Sequence, residues 1–292
     1  MDFKRILVAL NSPNGRDAAF ERALALARSS GAELYLLHAV PANQPFSFRA
    51  DARLARQADM RKRAEDAGVR VQTVEQHGDP AEIIELHANA RAVDLIVMGA
   101  APRRGWRRRH RSLVAERVIR RTSVPILVVA GDASDSPAPF RNVLAAVDLS
   151  PASKDVLSGA IGLTADETVR LTVMHTVTGL EAENAFQSRA RWMVPEYRAH
   201  VIDQARRTLE GVVAEVPAGV HTRLQVSTGS AARAIAEHAA ALDADLVVVG
   251  RSRGIKILGS TGIGLLRRNE RALLVLPSPS QRRAGVEGRH AA

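Results

Sequence analysis

Cysteine is missing from all 292 residues, which excludes disulfides, zinc–thiolate sites and cysteine nucleophiles. Aromatic residues are few, two Trp, two Tyr and six Phe, so the 46% hydrophobic content that supplies the cores is mostly aliphatic. No apolar run approaches the roughly 20 residues of a membrane helix, and Ile6 to Leu10 is too short for the apolar core of a signal peptide. A cytoplasmic protein without a membrane partner is therefore expected. The Gly-x-x-x-x-Gly-Lys-Ser/Thr loop, the Gly-x-Ser-x-Gly elbow and the His-Glu-x-x-His helix are all absent. Nothing in the sequence forms a catalytic constellation or a metal site.

What is present is a repeat. Lys4-Arg-Ile-Leu-Val-Ala-Leu-Asn11 returns as Arg141-Asn-Val-Leu-Ala-Ala-Val-Asp148, and Leu34-Tyr-Leu-Leu-His38-Ala-Val returns as Leu171-Thr-Val-Met-His175-Thr-Val, both at an offset of 137. Asp94-Leu-Ile-Val-Met-Gly99 returns as Asp245-Leu-Val-Val-Val-Gly250 at an offset of 151, so the second copy has gained 14 residues after its second strand. Arg120-Arg121 through Val129 matches Arg267-Arg268 through Leu276 at an offset of 147, so four residues are missing after Gly250. The domains are drawn at 1–131 and 140–277, joined by a polar, Pro-rich linker over 132–139 and followed by a disordered tail over 278–292.

Within each half, short apolar runs alternate with segments of helical period, which predicts βαβ units on a parallel sheet. In the first half the strands are marked by Ile6, Leu34, Val69, Leu95 and Ile126. Phe20, Ala23, Leu24 and Ala27 give the period of the first helix, which Gly31 ends. Asp79 is expected to cap a helix that Pro80 begins, and Ser230 is expected to keep the same cap in the second half. His38 and His175, at matching strand ends, are read as structural.

Both halves resemble universal stress protein domains. The resemblance rests on the strand ending in Asp148-Leu-Ser150, the histidines at 38 and 175, the Gly78-Asp-Pro-Ala turn, and Gly250 followed by Gly259-Ser260-Thr261-Gly262. It implies two tandem doubly wound α/β domains, each a five-stranded parallel Rossmann-like sheet in the order 3-2-1-4-5. It also implies an adenine-nucleotide site in the second half, for ATP or a relative with Mg as a candidate companion ion. Asp148 would hold the adenosine end and Thr176 would lie against the base. Gly250, Arg253, Gly254 and Gly259 would form the phosphate loop, with Ser260 and Thr261 donating to phosphate. Family members commonly pair through their last strands, so the resemblance implies a pseudo-dimer of the two halves through Ile126–Val129 and Leu273–Leu276, and further a homodimer. The competing reading of the same residues has Gly250 end a strand, Gly254 make a turn and Gly259-Ser260 cap a helix, with no ligand.

The first half departs from the pattern. Asn11 stands for the aspartate, Pro102 and Ser112 stand for glycines, and Leu113 replaces the hydroxyl, so this half is expected not to bind ATP in the family manner. In place of the glycines run Arg103, Arg104, Trp106, Arg107, Arg108, Arg109 and Arg111, whose arginines carry six of the ten net positive charges. These six are candidate anion-binding residues, because Arg forks bind phosphate oxygens; the plainer reading is a solvated loop. The 178–218 insertion holds Phe186, Trp192 and Tyr197, which are read as packing anchors, or else as a partner surface. Two functions stand: a stress-response regulator that binds adenine nucleotide, and a nucleotide-independent scaffold for an anionic or protein partner. A slow ATPase ranks below both, with Asp148 the only suggestive carboxylate.

Overall fold

The computed structural model describes residues 3–10, 17–41, 50–100, 107–129, 139–164, 169–179, 194–214, 216–217, 219–251, 260–268 and 271–277. They divide into two units. The first runs β1 (Arg5–Ala9), α1 (Ala18–Ser30), β2 (Glu33–Val40), α2 (Ala50–Asp66), β3 (Val71–His77), α3 (Pro80–Ala90), β4 (Leu95–Gly99), α4 (Arg107–Arg121) and β5 (Ile126–Val129). The second runs β6 (Asn142–Val147), α5 (Ser153–Gly162), β7 (Arg170–Val177), α6 (Val194–Val213), β8 (His221–Thr228), α7 (Ala231–Ala241), β9 (Leu246–Gly250), α8 (Ser260–Arg268) and β10 (Ala272–Leu276).

The first unit is a parallel sheet in the order β3-β2-β1-β4-β5, and the second repeats it as β8-β7-β6-β9-β10. This is the expected order 3-2-1-4-5 in both halves. The register carries the repeat as well. Ile6 sits between Leu34 and Leu95, and Val143 sits between Leu171 and Leu246. Central strands β1, β4, β6 and β9 are near-continuous buried apolar runs, as strands covered by helices on both faces require. The edge strands β3 and β8 are only partly covered, and Val69, expected within the third strand, lies buried two positions before it.

Local chemistry sets the helix boundaries. Asp17 accepts from the N–H groups of Ala19 and Phe20 at 3.1 and 3.3 Å, and α1 ends at Gly31 in the left-handed region, with φ 69°. Asp79 accepts from Ala81 and Glu82 at 3.1 Å each, with Pro80 at the first helical position, as the sequence predicts. Ser230 occupies the equivalent cap of α7, but its hydroxyl makes no capping bond, so the expected side-chain cap is not kept. Before β4, the Asp94 carboxylate accepts from the N–H groups of Lys4 and Arg5 at 2.9 Å. Asp245 does the same before β9, to Arg141 at 2.8 Å and Asn142 at 3.2 Å.

Two expectations are corrected. The arginine stretch is not a loop throughout: Arg107, Arg108, Arg109 and Arg111 lie in the opening turns of α4, since Arg favours helix and no Gly or Pro follows Gly105 before the helix is under way. Arg103 and Arg104 lie outside the described residues. Tyr197, expected as a packing anchor, is 61% exposed in the first turn of α6; Phe186 and Trp192 lie outside the described residues, as do the linker up to 138 and the tail.

Candidate functional site

In each sheet the chain steps one way from the first strand and the other way through the fourth, leaving a crevice at their carboxyl ends where open α/β sheets bind ligands. In the second unit β6 and β9 are neighbours from Val143↔Leu246 to Ala146↔Val249, which brings Asp148 and Gly250 to adjacent strand ends. Asp148 opens a tight turn. Its Oδ1 accepts from Ser150 N at 3.0 Å, Leu149 takes a left-handed φ of 59°, and Ser150 Oγ accepts from Ala152 N at 3.2 Å. A non-glycine residue held in that region is strained, and such strain concentrates at ligand sites. Asp148 itself is exposed at this strand end.

Two hydroxyls beside this turn are sealed from solvent without a hydrogen-bond partner among the described residues: Thr176 Oγ1, near the end of β7, and Ser153 Oγ, at the first residue of α5. Ser153 is 1% exposed and went unnoticed in the sequence, where it reads as an ordinary cap-forming serine. Thr176 is the residue that the family resemblance sets against the base, and Ala39 holds its place in the first unit. Buried hydroxyls are seldom left unpaired, so both mark a place that lacks an acceptor.

Gly250 has a packing reason that the sequence reading did not give it. A Cβ there would lie 3.1 Å from Val156 Cγ2, so the glycine lets α5 close onto the end of β9. Arg251 follows it, 4% exposed, its N–H donating to Leu276 O at 2.9 Å. Burial pulls its guanidinium pKa below the usual value. The first unit repeats the backbone bond with Ala100 N to Val129 O, but without the charge; the sequence pattern points to Arg253 and gives no sign that Arg251 is the buried one. Arg253, Gly254 and Gly259 lie outside the described residues. Ser260 and Thr261 open α8, and the first N–H groups of a helix suit an anion.

In the first unit the corresponding region is ionic on the other side of β2. Arg53, 7% exposed on α2, donates from Nε and Nη2 to Glu75 of β3 at 3.4 and 3.3 Å. His38 is paired in register with Glu75, and burial keeps its imidazole pKa below the usual value, against the opposing pull of Glu75. Its repeat, His175, bonds through Nδ1 to Val147 O at 2.9 Å, in keeping with a structural role. No group of three or more His, Asp or Glu side chains among the described residues is placed to hold a metal ion. Nor, among the described residues, is any helix long and apolar enough to cross a membrane.

A family model for the universal stress protein family matches twice, over residues 2–130 and 139–277. The chain belongs to the universal stress protein family. Universal stress protein MJ0531 of Methanocaldococcus jannaschii is 30% identical over 140 residues, covering 44% of this chain and 82% of that one. Among solved structures, a universal stress protein from Archaeoglobus fulgidus superposes with a TM-score of 0.69 at 17% identity, covering 94% of this chain and 96% of its own. A protein of Pseudomonas aeruginosa reaches 0.70 at 19% identity, covering 99% and 98%. Both likenesses span the two domains and concern the fold. Two universal stress protein domains in tandem thus account for nearly the whole chain.

Proposed function

We propose that the second universal stress protein domain binds ATP or a related adenine nucleotide at the carboxyl ends of β6 and β9, and that the chain acts as a stress-response regulator through that binding. The observation that carries the reading is the pair of sealed, unpartnered hydroxyls of Thr176 and Ser153 flanking the strained Asp148 turn. Asp148 would take the ribose, Thr176 the base edge, and the start of α8 with Ser260 and Thr261 the phosphates. Arg251 would add charge beside Gly250, and Arg253, Gly254 and Gly259 complete the loop in this reading. Mg would accompany the phosphates. The first domain is a degenerate partner, having Ala39 and Asn11 where the second has Thr176 and Asp148. This is a binding protein rather than an enzyme, and assembly into dimers belongs to the same reading.

Heat-denaturing the purified protein and chromatographing the supernatant should release adenine nucleotide, and titration calorimetry of stripped protein should give one nucleotide per chain. The double variant Asp148→Ala with Ser260→Ala should weaken binding about tenfold or more, since hydrogen bonds to charged groups contribute roughly 1.5–3 kcal/mol each. Unchanged affinity in that variant would sink the site. A second reading, a nucleotide-independent scaffold, draws on the exposed Tyr197 and on the arginines that open α4. It requires polyanion binding at low salt whose salt dependence flattens when Arg107, Arg108 and Arg109 become Ala.

A further inference from the structure

We propose that the second domain holds a binding site for an aromatic carboxylate at the amino end of its sheet, where β7 and β8 begin and α7 ends. A cavity of about 840 Å³ lies there, within the roughly 300–1,000 Å³ of ligand sites, and Arg170, Thr172, His221, Arg223, Leu242 and Ala244 are among its walls. Arg170 stands opposite His221 and Thr172 opposite Arg223 on neighbouring strands, so all four share one face of the sheet. With strands about 4.8 Å apart and a rise of about 3.3 Å per residue, the backbones of Arg170 and Arg223 lie about 8 Å apart, a gap that two arginine side chains close on one anion.

The first domain shows what the fold puts at this point. There the counterparts of Arg170, Thr172, Arg223 and Leu242 are Glu33, Tyr35, Gln72 and Arg91. The Glu33 carboxylate accepts from Tyr35 Oη and from Gln72 Nε2 at 2.9 Å each, and the Arg91 guanidinium lies over the Tyr35 ring, 5.5 Å from its centre. In the second domain threonine takes the place of the ring, arginine the place of the carboxylate, and another arginine the place of the amide. Exposed arginines alone are satisfied by water; these two line a space that the other copy fills with a ring and a carboxylate of its own. Among the described residues neither guanidinium is paired with a carboxylate, and no carboxylate lines the cavity. Of the aspartates that flank Ala244, Asp243 is paired with Arg271 at 2.8 Å, and Asp245 at full charge offsets one arginine and leaves the other. A ligand that carries both missing pieces, a planar ring against Thr172 and Leu242 and a carboxylate between the two guanidinium forks, restores the arrangement.

The test is a titration of the full-length protein with sodium benzoate at constant ionic strength, followed by calorimetry and by fluorine nuclear magnetic resonance of fluorobenzoate. Saturable binding of one benzoate per chain is expected, about tenfold or more tighter than acetate, because the ring is buried along with the carboxylate. Arg170→Gln and Arg223→Gln should each weaken it about tenfold. Thr172→Tyr combined with Arg170→Glu rebuilds the plug of the first domain and should abolish binding; if that variant fails to fold, the single variants at the two exposed arginines still decide the matter. Asp148→Ala, at the opposite end of the sheet, should leave benzoate binding intact, and its loss there would place the ligand elsewhere and overturn the site. Absence of saturation by about 20 mM benzoate overturns it too. So does unchanged affinity in both arginine variants, equal affinity for acetate, or tighter binding of inorganic phosphate than of benzoate.

Discussion

Arg53 and Glu75 meet at 3.3 and 3.4 Å between α2 and β3, and the place Glu75 holds beside His38 is held by Val226 beside His175 in the second domain. One fold therefore accepts an ion pair or a valine at the same point of its sheet. A largely buried ion pair is costly to break from one side and cheap to replace as a whole.

Arg53→Met alone is expected to destabilise the first domain by about 2–3 kcal/mol, at or below the lower end of the roughly 3–5 kcal/mol for fully buried pairs, because Glu75 keeps some contact with water. Adding Glu75→Val should recover most of that loss, to within about 1 kcal/mol of the parent. Urea unfolding of both variants decides it. A double variant as unstable as the single one would show that the pair, and not its broken half, stabilises the seam.

Stability should fall as pH is lowered from about 6.5. Burial depresses the folded pKa of His38, and burial together with Arg91 depresses that of His87, whose Nε2 lies 2.6 Å from Gln76 Oε1. A base with a depressed folded pKa contributes fully above its unfolded value, and the contribution is lost as pH drops from there towards the folded value. Asp79 adds a second, more acidic loss. Burial alone would raise its carboxyl, but the guanidinium of Arg117, at 2.7 and 2.9 Å, and the N–H groups of Glu82 and Ala81 outweigh burial and hold it low. Its contribution is present above the ordinary value of 3.8 and lost as pH falls through the folded one. Denaturant midpoints measured from pH 8 to 5 should decline, and His38→Leu with His87→Leu should flatten that decline.

Two helical glycines should respond to alanine with opposite signs. A Cβ on Gly159 of α5 would lie 2.5 Å from Cδ1 of the buried Leu276, and overpacking of roughly 1–3 kcal/mol outweighs the roughly 1 kcal/mol gained in helix propensity. Gly211 of α6 has nothing within 4 Å of such a Cβ, so Gly211→Ala should stabilise by about 0.5–1 kcal/mol. Thermal melting of the two single variants tests both. A stabilised Gly159→Ala would mean that Leu276 yields more easily than its burial suggests.

The strand order, the Asp79-Pro80 helix start and the Gly31 stop were legible because each rests on local chemistry or on a segment written twice. The arginines of α4 were misread as a loop because charge density says nothing about backbone conformation, and Arg is a good helix former. The Arg53 seam was invisible for a related reason. Helix α2 is charged on nearly every face, so its inward stripe looks like a solvated one until β3 is laid against it. Within the candidate nucleotide site, Asp148 and Gly250 follow from the repeat, whereas the burial of Ser153 and Arg251 depends on how α5 and β10 close around the strand ends, which no spacing encodes.

The paired aspartates Asp94 and Asp245 staple the amino ends of the two sheets in the same way, while the differences between the domains at the candidate nucleotide site lie towards the carboxyl ends. Anchorage and crevice thus occupy opposite poles of each domain. After the duplication that the repeat records, one copy was free to exchange its crevice without loosening its anchor. The two domains accordingly serve as each other's internal control: a chimera that trades carboxyl-end loops between them should fold on either anchor and carry its nucleotide binding along with the transplanted loops.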